Sequence, residues 1–134
     1  MRGYNPPPAG EKVITKLEPN EIFVFGSNLA GVHGAGAAKL AMKFGATYSR
    51  GIGFSGQTYA LPTKDAKIQT LPLSEINKYV NDFLIIAGQH PEKRFLLTRV
   101  GCGLAGYFDE EIAPMFVGYP PNVIIPENWK EIIG

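Results

Sequence analysis

The sequence has little net charge, a single cysteine and no long apolar run, and each of these features excludes a class of protein. Thirteen basic residues are balanced by twelve acidic residues without charge blocks, so the chain lacks the basic surface typical of proteins that bind duplex nucleic acid or anionic membranes. Cys102 has no second cysteine with which to form an internal disulfide. No apolar run approaches the ~20 residues of a membrane span, and the N-terminus has no apolar signal-peptide core. We therefore expect a cytoplasmic protein with no membrane partner.

The length of the chain fits one domain. Its 134 residues are enough for one hydrophobic core and too few for two ordinary domains. Residues 1–10 contain three consecutive prolines and predict an irregular N-terminal arm. Residues 11–134 are then expected to form a single ligand-binding domain.

Strand patterns and helix patterns alternate along this domain. β-rich apolar runs predict strands over residues 13–17, 22–25, 58–61, 94–100 and 122–125. Helical spacing and stop signals predict helices over residues 36–44, 73–87 and 127–133, and a short helix that begins near Asp109. The glycine-rich residues 50–57 predict a loop, and Pro62 predicts the end of a strand. The alternation predicts an α/β fold with a mixed, mostly parallel sheet and helices on both faces.

Residues 26–41 lead from an apolar strand through a glycine-rich loop into an alanine-rich helix. Gly31, Gly34 and Gly36 allow other groups to approach the backbone closely, and the start of the helix presents unpaired N–H groups. This combination suits a phosphate or a diphosphate. For this loop alone, a tight turn packed with small residues is the alternative interpretation.

A second glycine-rich loop, residues 101–106, follows the predicted strand 94–100. Its Gly-x-Gly-x-x-Gly pattern does not fit a Rossmann dehydrogenase, because no acidic residue follows the next strand at the usual place. Ligands of α/β sheets collect at the carboxyl ends of the strands, so we expect both loops and Lys64 to share one cleft. Backbone donors from the two loops would then hold a diphosphate from both sides. We predict no metal site and no cofactor.

The order of these motifs resembles the macro domain, the ADP-ribose-binding fold. Residues 25–28 are similar to its strand with an Asn-containing turn, residues 31–36 to its first ligand loop, residues 58–64 to its next strand, and residues 99–106 to its diphosphate loop. The resemblance runs from about residue 22 to residue 125 and is greatest to the branch of lysine-dependent terminal ADP-ribose glycohydrolases and ADP-ribose-1″-phosphate phosphatases. It implies a three-layer α/β/α, macro-domain-like sandwich.

The resemblance also implies the ligand and its contacts. ADP-ribose or a related diphosphate nucleotide would be bound, Asn28 would contact the distal ribose, and Lys64 would match the catalytic lysine of the branch. The other implied ligand contacts lie in the two loops: Gly31, His33, Gly34, Ala35 and Gly36 in the first, and Gly101, Cys102, Gly103, Leu104, Ala105 and Gly106 in the second. Tyr107, directly after the second loop, is a candidate to stack on a base or a ribose, and the alternative is that it fills the core.

Two acids of the family have no counterpart here. Ala105 stands where the glycohydrolase branch has an aspartate, and the aspartate of the other hydrolase branch falls near Ala38. Asp109, just after the second loop, is the candidate to replace the missing acid, and His33, expected to be exposed in the cleft, is a candidate acid–base group. Each also has a structural interpretation, the imidazole as a group that hydrogen-bonds the loop backbone and the carboxylate as a helix cap. The acidic Gly-Asp-Ile element whose aspartate selects adenine is also absent.

Two functions remain open from the sequence. The first is an enzyme that removes ADP-ribose from a modified macromolecule, or phosphate from ADP-ribose-1″-phosphate, with Lys64 as a catalytic residue. The second is a non-catalytic module that captures ADP-ribose or a related nucleotide, for example as a phage or bacterial accessory protein. The missing acids favour the second function, and Lys64 favours the first.

Overall fold

A computed structural model describes residues 14–134 of the chain, and these residues form an α/β fold with a five-stranded sheet and four α-helices. The predicted arm over residues 1–10 lies outside the described residues. The strands are β1 (Glu21–Asn28), β2 (Gly53–Ser55), β3 (Thr58–Lys64), β4 (Arg94–Leu97) and β5 (Val123–Ile124). The helices are α1 (Gly36–Ala41), α2 (Leu73–Gly88), α3 (Asp109–Ile112) and α4 (Lys130–Ile133). Short 3₁₀ turns extend α1 over Met42–Phe44 and α3 over Ala113–Phe116, and Glu127–Trp129 precedes α4.

The sheet is mixed and mostly parallel, as the alternation of strand and helix patterns predicts. Its strand order is β2-β3-β1-β4-β5, so β1 is the central strand. β1 is parallel to both β3 and β4, and β4 is parallel to β5. Only β2, at one edge, is antiparallel to its neighbour β3. The central position of β1 explains why nearly all of its residues are buried.

Apolar residues of β1 alternate between two clusters, one on each face of the sheet. Val24 belongs to the larger cluster, to which α2 contributes four fully buried residues, namely Ile76, Val80, Phe83 and Ala87. Phe23 and Phe25 belong to the smaller cluster with Ala38 and Ala41 of α1. Helices therefore lie on both faces. The short helix α1 contributes mainly small residues to its face, and Ile14, Leu17 and Phe44 pack beside it.

Helix α2 confirms the most regular apolar pattern of the sequence. Its bounds agree with the predicted residues 73–87 within one residue, because burial of one face at helical spacing leaves little choice of structure. The helix and 3₁₀ turn over residues 36–44 also match the prediction, and Gly45 ends them in a left-handed conformation with φ of +106°. No described helix is both long enough and apolar enough to cross a bilayer.

Two strand predictions are wrong around β3. The strand does not end at Pro62 but continues to Lys64. β2 pairs with residues 58–60 only, so the missing N–H of Pro62 faces no partner strand on that side. Residues 53–55, predicted as part of a loop, form β2 because a two-residue turn at Gly56 folds them back onto β3.

The predicted first strand is also wrong for the part that the structure describes. Residues 14–17 form no regular element, although Ile14 and Leu17 pack against the smaller apolar cluster. Val13, the first residue of that prediction, lies outside the described residues. The β-rich composition of this run therefore reflects packing on the sheet and not pairing within it.

Candidate functional site

The chain leaves the carboxyl ends of β1 and β4 toward opposite faces of the sheet. After β1 it passes through α1 on one face and reaches β3, and after β4 it passes through α3 on the other face and reaches β5. Two adjacent parallel strands with such diverging connections open a crevice where α/β proteins bind their ligands. The two glycine-rich loops follow these two strands, so the prediction that they share one edge of the sheet is confirmed.

A cavity of about 1520 Å³ occupies this crevice. Gly34 and Gly103 line it from the two loops, and Lys64 lines it from the end of β3. Its apolar floor continues across the face that α1 only partly covers, over Phe23, Leu96 and Ile124. Ligand pockets commonly have volumes of ~300–1,000 Å³, so this cavity has room for a ligand with several joined groups.

The cavity is lined by most, but not all, of the residues that the sequence predicts for the site. The predicted residues that line it are Asn28, Gly34, Ala35, Gly36, Lys64, Gly101, Gly103, Leu104 and Ala105. Those that do not line it are Gly31, His33, Cys102, Gly106, Tyr107 and Asp109.

Several lining residues were not predicted, among them Val32, Ile68 and residues 126–128. Val32 lies inside the first predicted loop, so its position in the sequence could have identified it as a lining residue. The C-terminal residues belong to no motif, and only the tertiary fold brings them to the cavity.

Asn28 shapes the first loop from the end of β1. Its side-chain amide donates to the Val32 carbonyl at 2.8 Å, and its side-chain oxygen accepts from the Val32 N–H at 3.0 Å. The Gly31 N–H donates to the Asn28 carbonyl at 3.0 Å. Asn28 thus holds the loop in a tight turn while it also lines the cavity.

His33 lies beneath the first loop, and the prediction that its side chain is exposed is wrong. The side chain is 2% exposed, and Nε2 lies 2.9 Å from the Thr47 carbonyl oxygen and 3.2 Å from that of Arg50. A carbonyl oxygen can only accept a hydrogen bond, so His33 Nε2 carries a proton and is the donor. The ring also packs edge-on against Phe25, with 5.2 Å between centroids. The imidazole therefore fastens the first loop to the segment that follows α1.

The second loop is held by internal hydrogen bonds that leave part of its backbone unused. Cys102 N–H donates to the Arg99 carbonyl at 3.0 Å, and Tyr107 N–H donates to the Gly101 carbonyl at 2.9 Å. Among the described residues, no group accepts a hydrogen bond from the backbone N–H groups of residues 103–105. These three residues line the cavity. Their backbone donors are therefore available to an anionic ligand.

Cys102 lies under this loop as an interior residue. Its side chain is fully buried, and burial raises the pKa of the Cys102 thiol well above its ordinary value. A thiol that stays protonated is a poor nucleophile. Cys102 therefore contributes to the core and not to chemistry in the cavity.

Asp109 is part of an ion pair behind the second loop. Its two carboxylate oxygens accept hydrogen bonds from Arg99 Nε and Nη2, each at 2.8 Å, and one of them also accepts from Trp129 Nε1 at 2.6 Å. Partial burial raises the pKa of Asp109, but the bonds from Arg99 and Trp129 outweigh it and lower that pKa from 3.8 to about 2. Such a group holds no proton to donate at neutral pH, and it does not line the cavity. Its geometry fits a structural ion pair better than a catalytic acid.

We expect Asp109→Asn to lower the free energy of unfolding at pH 7 by about 3 kcal/mol, because it removes the carboxylate that pairs with the buried Arg99 guanidinium. The pKa of Asp109 is lower in the folded protein than its ordinary value of 3.8. The ion pair therefore stabilises the fold above pH ~4, and this stabilisation is lost as the pH falls toward ~2. Urea unfolding of both proteins at about pH 7 and about pH 2.5 measures the difference.

The matched control for this prediction is Glu110→Gln, at an exposed neighbour in the same helix. It should change the free energy of unfolding by no more than ~0.5 kcal/mol. A difference between wild type and Asp109→Asn that is the same at both pH values would contradict the prediction.

Lys64 is the cation beside the two loops. It ends β3 opposite Asn28 in the register, and its carbonyl accepts the Leu29 N–H at 3.0 Å. None of the ion pairs among residues 14–134 includes its ammonium group. Residues 22–64 contain no acidic residue. The first loop, α1 and β3, which all fall in this range, therefore contribute positive charge alone. An anionic ligand would meet little electrostatic opposition here.

The carboxylates that line the cavity belong to the C-terminal segment and not to either loop. They are Glu127 and Glu131, and the Glu127 carboxylate lies 3.1 Å from the Lys130 ammonium. Neither glycine-rich loop contains an aspartate or a glutamate. The strand ends and loops therefore offer the cavity backbone donors, amide and hydroxyl side chains and the Lys64 ammonium group but no carboxylate, which suits binding of an anion more than acid–base chemistry.

Comparison with known proteins adds no family to these observations. No protein-family model, curated protein or solved structure matches the chain.

Proposed function

We propose that the protein binds a diphosphate nucleotide of the ADP-ribose type in the crevice between β1 and β4. The observation that carries this proposal is that both glycine-rich loops line one cavity together with Lys64. Unused N–H groups of residues 103–105 stand on one side, and an unpaired ammonium group stands on the other. Backbone donors and one cation suit a diphosphate, whose charge they share without a large basic surface.

The two ends of the cavity support a ligand with a group on each side of the diphosphate. The apolar floor over Phe23, Leu96 and Ile124 suits a flat, weakly polar group such as a nucleobase. Asn28, which lies beside Lys64 at the strand ends, suits a sugar whose hydroxyl groups follow the diphosphate. The motif order that resembles macro domains agrees with this arrangement, and we propose the same three-layer α/β/α architecture, with the sheet between α1 and the helices of the opposite face.

Binding without catalysis is the function that the geometry supports best. Of the three catalytic candidates, only Lys64 lines the cavity, and the positions of the missing acids are occupied by alanine. Hydrolysis of ADP-ribose from a modified macromolecule, or of ADP-ribose-1″-phosphate, is the second candidate function. The position of Lys64 at the loop end of the cavity favours it.

Calorimetric titration with ADP-ribose, ADP and a cyclic mononucleotide tests the proposal. We expect ADP-ribose to bind most tightly, since it fills both ends of the cavity, and ADP to bind more weakly. The cyclic mononucleotide lacks a diphosphate and should not bind at the same concentrations. Equal affinity for ADP-ribose and the cyclic mononucleotide, or no binding of ADP-ribose, would contradict the proposed function. Incubation with ADP-ribose-1″-phosphate or with an ADP-ribosylated protein, followed by product analysis, tests for hydrolysis.

A further inference from the structure

Ile68 has a backbone conformation that its own side chain disfavours. Its φ is +62°, in the left-handed region, where a β-branched residue is an outlier. Within residues 14–134, nine glycines have positive φ, and Ser49 is the one other non-glycine residue that does. The sequence thus uses glycine for this conformation almost everywhere but has isoleucine at position 68.

The turn formed by residues 65–70 imposes this conformation through hydrogen bonds that do not involve the Ile68 side chain. The Asp65 carboxylate accepts from the N–H groups of Lys67 and Gln69, at 2.8 and 3.0 Å. The Ile68 N–H donates to the Asp65 carbonyl at 3.0 Å. A strained residue persists only where its surroundings determine the backbone in this way.

Packing in the core does not compensate for this strain. Ile68 is 45% exposed, and it lines the cavity. The Thr70 hydroxyl donates to the Ala105 carbonyl at 3.0 Å and so fixes the turn against the second loop. Glycine at position 68 would satisfy the turn without strain. Neither the turn nor the core therefore requires an isoleucine side chain at this position.

We propose that Ile68 is a ligand-contact residue that covers the sugar beyond the diphosphate and so determines specificity for it. This inference rests on the proposed function. The turn follows directly after Lys64, which lies opposite Asn28 in the register, so Ile68 stands on the side of the crevice where Asn28 would receive the sugar. Leu104, 48% exposed, lines the same cavity from the second loop. Two apolar side chains from facing loops would cover the carbon face of a sugar and exclude water from it.

Titration of Ile68→Gly with ADP-ribose and with ADP tests this role, and Ser49→Gly is the matched control. Ser49 has φ of +74°, is exposed and does not line the cavity, so glycine relieves similar strain there without touching the ligand. We expect Ile68→Gly to weaken ADP-ribose binding about fivefold or more and to leave ADP binding within about twofold. Ser49→Gly should leave both affinities unchanged. Thermal unfolding should show that neither substitution prevents folding, because each places glycine at positive φ.

The outcomes separate this inference from the proposed function. If wild type binds ADP-ribose and Ile68→Gly binds it equally well, or loses affinity for ADP-ribose and ADP by the same factor, the role of Ile68 is overturned and the binding function stands. If wild type does not bind ADP-ribose, the proposed function is overturned, and the role of Ile68 with it. Ile68→Asn, which tolerates the left-handed conformation, should repeat the selective loss for ADP-ribose.

Discussion

Replacement of Gly103 by valine is expected to abolish binding of the diphosphate ligand while the protein stays folded. A Cβ atom at Gly103 would meet no other atom within 4 Å, and its φ is not in the left-handed region. The branched side chain would instead occupy the cavity in front of the unused N–H groups of residues 103–105. We expect ADP-ribose affinity to fall at least ~100-fold, which corresponds to ~2.7 kcal/mol. Gly34→Val should do the same from the first loop, since its Cβ also points into open space.

Gly31→Val is the contrasting variant, because it changes the same loop but should damage the fold. Gly31 has φ of +72°, and a Cβ atom there would overlap the backbone of Ser49 and Arg50. We expect it to unfold the protein or to lower the free energy of unfolding by at least ~3 kcal/mol. Circular dichroism melts of all three variants, with calorimetric titration of those that fold, measure both effects. Titration curves identical to wild type for Gly103→Val and Gly34→Val would mean that the ligand does not approach these loops.

The parts of the fold that the sequence predicts well are those decided by neighbouring residues. Helix α2 follows from apolar spacing that buries one face, and the end of the 3₁₀ turn that extends α1 follows from Gly45. The two glycine-rich loops are also local features. Because β1 and β4 are parallel, the loops that follow them lie at the same edge of the sheet. The end of β3 could not be predicted from neighbouring residues, because it depends on which strand lies beside Pro62. β2 could not be predicted either, because it forms only by pairing with β3.

The side chains of the site were harder to predict, because distant residues decide where they point. His33 is turned inward by carbonyls that lie 14 and 17 positions later in the chain. Asp109 is held by Trp129, 20 positions later, as well as by Arg99. No sequence pattern near His33 or Asp109 indicates which distant residues will bond to it. A polar residue beside a predicted loop therefore has a predictable position but not a predictable direction.

Replacement of Lys64 by alanine is expected to weaken binding of ADP-ribose about tenfold. The variant removes the unpaired cation beside the loops, and a hydrogen bond to a charged group contributes about 1.5 kcal/mol or more. Lys67→Ala is the matched control, since this exposed lysine lies in the next turn and does not line the cavity. It should leave the affinity unchanged in the same calorimetric titration. An equal loss for both variants would indicate a general effect of charge and no contact with Lys64.

The variant Lys64→Arg then separates a binding module from an enzyme. Arginine keeps the positive charge, so ADP-ribose affinity should stay within about threefold of wild type if the lysine pairs with a phosphate. Arginine cannot supply an unprotonated amine, so an enzyme that uses Lys64 as a nucleophile would lose turnover while it still binds. We expect any hydrolysis by wild type to be weak, because no loop carboxylate protonates the leaving group, and general acid catalysis commonly contributes ~10²–10⁴ in rate. Turnover that persists in Lys64→Arg would exclude Lys64 as the nucleophile, and absence of turnover in wild type with tight ADP-ribose binding would leave the protein a binding module.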